Sequence, residues 1–257
     1  MVAGEGSMML TAVTNSASAL EFVALAAHRA PRLDSTADWE IVPAGYTIQF
    51  RSPEPSATGS RRFLIDCGSA VEFARYAVRS LGRACIVRVM PNADDPSLLA
   101  TLTETHLQEP TPAELSMIVA SRTADWPRQI SHRQMLLDDL FASVQSAARD
   151  RGCWVRRIEA QAPGSAPSAL SRLDPSPGRQ SEKRNPAAWL LIGTDTDDAS
   201  AQLRTGRTFA QIVLSLRTAG LRWCPLVPVP ETPRGASDLS RELGLIGMPQ
   251  LVLEVGG

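Results

Sequence analysis

A chain of 257 residues, 44% hydrophobic and 21% charged, has an ordinary globular composition and is long enough to bury roughly 70 to 75% of its unfolded surface in one large domain or two small ones. Lysine plus arginine number 26 against 27 acids, which removes any bulk electrostatic case for nucleic acid or an anionic membrane surface as partner. No apolar stretch approaches the roughly 20 residues a bilayer span needs, and Cys67, Cys85, Cys153 and Cys224 are too widely spaced for a zinc site or a dense disulfide frame, so the chain reads as a cytoplasmic protein with free thiols.

Ser18 to Ala30 carries Leu20, Val23, Leu25 and Ala27 near helical spacing. The helix must stop near Pro31, because the residue before a proline resists the helical region of backbone space. Trp39 to Val42 and Tyr46 to Phe50 alternate across Pro-Ala-Gly and predict a hairpin, followed by a Pro- and Ser-rich loop over 51–60. Arg61 to Leu81 is the first strong helix. It closes at Gly82, where a left-handed cap fits, and the strand Ala84 to Met90 follows at once.

This helix, glycine, strand unit recurs twice. Gln134 to Arg151 ends at Gly152 before Cys-Trp-Val-Arg-Arg-Ile, and Ala199 to Ala219 ends at Gly220 before Leu-Arg-Trp-Cys-Pro-Leu-Val. Pro91 to Ser97 forms a turn before the strand Leu98 to Thr105. Residues 161–186 hold too much Pro, Ser, Gly and charge to bury apolar area and read as a linker. Trp189 to Ile192 is a buried-strand candidate, and a short helix near Ser237 to Leu243 precedes a last strand, Gln250 to Val255. Three such units point to helices packed over a sheet, in an α+β or α/β architecture. The expected organisation is a first lobe over 1–160, a linker over 161–187 and a shorter second lobe over 188–257.

The spacings that usually carry mechanism are absent: there is no G-x-G-x-x-G, P-loop, G-x-S-x-G or H-E-x-x-H. His28, His106 and His132 lie in separate segments and give no support to a metal site. The acid run Asp195 to Asp198 lacks the twelfth-position glutamate of a calcium loop, where Gly206 stands, and is read as capping the helix that follows. The cations are nearly all arginine, which suits bidentate contacts to anions. Arg61-Arg62 and Ser121-Arg122-Thr123 lie at helix ends, where an arginine either helps hold a phosphate or is held by a nearby acid.

Arg61 to Leu81, followed by G-R-A-C-I-V-R-V-M-P-N-A-D-D-P-S-L-L-A-T-L, resembles the Acg-type branch of the nitroreductase superfamily found in actinobacteria. Arg61, Cys67, Gly68, Ala70, Pro91, Asp95, Pro96 and Leu99 to Leu102 match that branch's R-x-x-x-x-x-C-G-x-A helix and its P-x-x-x-D-P turn into L-A-T-L. Leu203 to Leu221 and Gly247 to Gly256 are similar to its L-R-x-G helix and its final G-x-P-Q strand. The resemblance implies an FMN-dependent α+β fold in which two lobes of one chain imitate the family's homodimer, with the flavin between them. It also implies NAD(P)H as electron donor and a small aromatic or quinone-like acceptor, or flavin storage.

The turn where family members carry A-P-S-x-x-N-x-Q-P-W keeps Ala30, Pro31 and Trp39, but has Arg32, Ser35, Ala37 and Asp38 for Ser, Asn, Gln and Pro. The R-R-x-T-x-R-R-P signature is reduced to Arg122, Thr123 and Pro127, with Asp125 and Trp126 replacing the later arginine pair, and Glu254 stands where the last strand usually has arginine. On this resemblance Arg32, Ser35, Arg122 and Thr123 are the residues expected to contact flavin. The alternative expectation is a non-catalytic relative that has lost FMN and binds a small molecule or a protein partner.

Overall fold

The computed structural model describes residues 17–33, 39–53, 60–123, 133–159, 186–226 and 233–256. The chain begins with helix α1 (Ala17–His28) and the hairpin β1 (Glu40–Ala44) and β2 (Thr47–Arg51), followed by α2 (Arg61–Ser80), β3 (Arg83–Val89), β4 (Leu98–Leu107) and α3 (Pro112–Arg122). It continues with α4 (Arg133–Arg149), β5 (Trp154–Glu159), β6 (Pro186–Thr194), α5 (Ala199–Thr218), β7 (Arg222–Leu226), α6 (Pro233–Leu243) and β8 (Met248–Gly256). The expected hairpin and the three helix, glycine, strand units are all present. Gly82, Gly152 and Gly220 close their helices at φ of 72°, 66° and 68°.

Two four-stranded antiparallel sheets form, in the orders β1-β2-β4-β3 and β5-β6-β8-β7. The permutation is the same in both. Because the fourth strand of each set lies antiparallel between the second and the third, those two run parallel and need a crossover. In the first sheet the crossover is α2 and in the second it is α5. The architecture is therefore α+β, built twice. Strand pairing places β5 beside β6, and Val144 and Ala148 of α4 join the second core with Ile192 and Phe209. The second lobe thus starts at α4, some way before the boundary at residue 160 read from the sequence. A linker of low apolar content separates β5 from its hairpin partner, so local periodicity grouped β5 with what precedes it. That linker lies outside the described residues apart from its last two positions, which open β6.

Nearly every residue of α2 is buried, including Leu64, Ile65, Cys67, Val71 and Phe73, because the helix is covered by its own sheet on one side and by α5 on another. The two helices meet at glycines. A Cβ on Gly68 would lie 2.1 Å from the carbonyl oxygen of Leu203, and one on Gly206 would lie 1.9 Å from that of Ile65. The contact is reciprocal, pairing Ile65 with Gly206 and Gly68 with Leu203. Each helix consequently enters the other lobe's core: Leu203, Ala210 and Leu214 of α5 pack in the first, and Ile65 of α2 in the second. Ser60 caps α2 by accepting the Phe63 amide, and Asp198 caps α5 by accepting the Ala201 amide at 2.8 Å, as the acid run predicts.

Replacing Gly206 by alanine must push the two backbones apart, and we expect a loss of about 3 kcal/mol in urea unfolding. Gly45→Ala is the control: its Cβ meets nothing within 4 Å, and only the left-handed φ of 63° opposes it, at about 1 kcal/mol. Equal losses in the two variants would refute the close crossing.

Candidate functional site

The turn after α1 is tied to the central helix by the Leu33 amide, which donates to the buried carboxylate of Asp66 at 2.7 Å. Arg32, half-buried, lies with its guanidinium 4.5 Å from the ring centre of Trp39 and donates to Nδ1 of His28 at 3.1 Å. His28 itself stacks on Trp39, with ring centres 6.1 Å apart. Trp39 is 3% exposed, and its indole N–H has no hydrogen-bond partner. The second predicted group sits at the end of α3. Arg122 is exposed, donates to Oγ of Ser80 at 2.9 Å and covers the ring of Phe22 at 5.5 Å. Thr123 returns its hydroxyl to its own helix, donating to the carbonyls of Ala120 and Val119 at 3.3 and 3.5 Å.

Phe22 and His28 are six residues apart on α1, about 9 Å along its axis. The structure therefore brings Arg32 and Arg122, 90 residues apart in sequence, to the surface of one helix. Ser35 lies outside the described residues, as do Asp125, Trp126 and Pro127. Arg61, one of the helix-end arginines, is held by an acid: it donates to Asp197 at 2.7 Å and to the side-chain oxygen of Gln250. Burial would raise the Asp197 carboxyl, but hydrogen bonds from Arg61, Gln250 and Gln202 bring it below its ordinary value. This network fastens the start of α2 to the second sheet.

Sequence reasoning missed the densest charged group. Glu72 of α2 has no exposed surface, yet its carboxylate accepts from three arginines. Oε1 takes Nε of Arg75 at 2.8 Å and a terminal nitrogen of Arg151 at 2.7 Å, while Oε2 takes Nε of Arg207 at 3.0 Å. Tyr76 donates to Oε1 of Gln211 at 2.6 Å beside them. Nearby, Arg79 forms a fork onto both oxygens of Glu114 at 2.8 Å and bonds the carbonyls of Arg83, Gln108 and Glu109. The signal in the sequence was V-E-F-A-R-Y, a glutamate and an arginine three apart among apolar and aromatic neighbours in the middle of α2. Its other members come from the α4–β5 turn and from α5, which no local pattern connects.

No group of three or more His, Cys, Asp or Glu side chains suited to a metal occurs among the described residues, and no helix there is long and apolar enough to cross a membrane. Burial pushes the Cys85 thiol up to about 11 and raises Cys67 and Cys153 as well, so none of the three is an activated nucleophile.

No family model matches the chain. Over 99% of its length it is 26% identical to proteins of two strains of Mycobacterium tuberculosis, CDC 1551 and H37Rv, each named "Putative NAD(P)H nitroreductase", and the match covers 90% of those proteins. The chain is a homologue of these Mycobacterium tuberculosis proteins. The matched region spans 315 positions against 257 residues here, so the relatives carry additional residues inside it. Solved structures with partial similarity are a Parabacteroides distasonis protein described as "Putative NADH dehydrogenase/NAD(P)H nitroreductase" (17% identity, 51% of this chain and 78% of that one, TM-score 0.35) and NfrA2 of B. megaterium (16%, 55% and 65%, TM-score 0.39).

The electrostatics predict an acid limit. The Arg79 fork holds Glu114 down to about 2, and the three guanidiniums hold Glu72 well below the ordinary 4.5 despite the opposing effect of burial. Folded values below unfolded ones mean that this stabilisation is complete above about pH 4.5 and is lost as the pH falls through about 2. The thermal midpoint should fall across that window, and Glu114→Gln should shallow the fall; an identical profile in the variant would exclude Glu114 as a contributor.

Proposed function

We propose that this protein is a nitroreductase-type oxidoreductase that holds FMN between its two lobes, takes electrons from NAD(P)H and passes them to a small aromatic or quinone-like acceptor. The observation that carries the reading is the duplicated architecture: two sheets of one permutation, joined back to back through α2 and α5, in a chain that aligns end to end with proteins named as NAD(P)H nitroreductases. Such an arrangement lets one chain do what two subunits do in a homodimer.

The residues present fit the anionic part of a flavin mononucleotide in charge. Arg122 is exposed and makes one hydrogen bond to a protein side chain, and Arg32 is held over Trp39, 4.5 Å from its ring centre, just past the end of the same helix, a contact that limits the entropy lost when an anion is bound. FMN when bound supplies the two-electron redox chemistry. The chain's own part is to hold and orient it, which calls for few acid or base groups and accords with the lack of catalytic motifs.

A non-catalytic relative is the second reading. It is supported by Thr123, whose hydroxyl is turned back onto α3, and by the exchange of family amides for Ser35 and Ala37, which removes donors from the flavin-facing turn.

The deciding experiment is the visible spectrum of the purified protein, as isolated and after incubation with excess FMN and desalting. A retained flavin band that NADH or NADPH bleaches supports the first reading; a colourless protein supports the second. With flavin bound, Arg122→Ala should weaken FMN affinity about tenfold, the loss of one charge-assisted contact. Unchanged affinity would remove Arg122 from the site.

A further inference from the structure

The charges around Glu72 do not balance. Four guanidiniums, Arg75, Arg79, Arg151 and Arg207, surround two carboxylates, Glu72 and Glu114, which leaves an excess of two positive charges in a largely buried cluster. Arg79 is satisfied by Glu114 and three carbonyls. The other three are not. Arg207 bonds only through Nε, so both of its terminal nitrogens lack a partner among the described residues. Arg151 donates its terminal nitrogens to the Ala147 carbonyl at 2.6 Å, to Glu72 and to Gln211, and its Nε is buried with no hydrogen-bond partner. Arg75 uses Nε on Glu72 and approaches Glu114 at 3.7 Å, and its plane lies 4.2 Å from the ring centre of Tyr76. Gln211 accepts from Tyr76 and Arg151 through its oxygen, which turns its amide N–H groups into further donors at the same place.

These side chains are 12 to 18% exposed over a carboxylate with no exposure, so the arginines and not Glu72 form the solvent-facing margin of the cluster. Three like charges bound to one carboxylate repel one another strongly where water is scarce. Burial, together with Arg151 and Arg75, accordingly pulls the Arg207 group below its ordinary value. The cluster also has no counterpart across the helix crossing. In the reciprocal register that pairs Gly68 with Gly206, Glu72 corresponds to Ala210 and Arg75 to Val213, both buried and apolar. A merely structural contact between duplicated lobes would need no charges on one side only.

We propose that Arg207, Arg151 and Arg75, seated on Glu72 with the Gln211 amide beside them, form a binding site for a small doubly charged oxyanion of the phosphate type. Glu72 orients the three forks and the anion neutralises the remaining charge. The site is made by α2, α5 and the α4–β5 turn, and is separate from the Arg32 and Arg122 surface of α1.

The test is calorimetric titration of the full-length, flavin-free protein with inorganic phosphate at neutral pH, with thermal unfolding in phosphate against chloride at matched ionic strength. Wild type should bind phosphate and unfold at a higher temperature in it. Arg207→Gln should lose at least about tenfold in affinity together with the thermal shift, and should unfold at a higher temperature than wild type in chloride, since a repelling charge is gone. Arg241→Gln, at an exposed ion pair with Asp238 on α6, should keep both responses. No phosphate response in wild type, or a response lost in Arg241→Gln and kept in Arg207→Gln, overturns the proposal. Should Arg207→Gln fail to fold, Arg207→Lys decides, since it keeps the charge and lacks the fork: weakened binding supports the site and unchanged binding overturns it.

Discussion

The rest of the molecule depends on the close approach of α2 and α5. Two helices whose backbones touch through Gly68 and Gly206 leave no room for side chains between them at that point. The residues flanking the contact, Ile65 and Leu203, are thereby driven through into the opposite lobe's core. Such a crossing joins two sheets, each covered by its own central helix, into a single interlocked body. It also fixes where α1, α3 and the α4–β5 turn lie relative to one another, since each of these packs against one of the two central helices or its sheet.

Electrostatics differ on the two sides of this crossing. On one side α2 turns Glu72, Arg75 and Tyr76 toward Arg207 and Gln211 of α5, while the equivalent positions on the other side are alanine and valine. An arginine fork can satisfy a fully buried carboxylate with good geometry, but each added guanidinium brings a desolvation cost that one carboxylate cannot offset three times. The excess charge is thus a property of the assembled lobes. It gives the duplicated framework a chemical direction that the sheet topology lacks.

At the α1 surface the turn that resembles a family motif in sequence keeps that motif's Ala, Pro and Trp and carries different polar groups. Ala30, Pro31 and Trp39 keep the chain path, with Trp39 buried and stacked on His28. Arg32 rests its guanidinium over that same indole, 4.5 Å from the ring centre. A cation resting on an aromatic ring is partly desolvated and held in orientation, which is the condition under which a single guanidinium binds an oxyanion well.

Much of the fold was legible from the chain alone, because helix ends are written in short-range chemistry. Asp198 caps, Gly82, Gly152 and Gly220 close, and the alternation around Pro43 to Gly45 makes the hairpin. These choices depend on a residue and its near neighbours. The motif resemblance likewise rested on local strings and pointed to the superfamily that the full-length comparison supports. Tertiary structure alone decided that β5 joins β6 across the linker, that Arg61 belongs to Asp197 and Gln250, and that Arg151 and Arg207 converge on Glu72. Pairings of that kind join residues from 29 to 189 positions apart. Their energy comes from burial and charge compensation in a space that exists only once α2 and α5 have met.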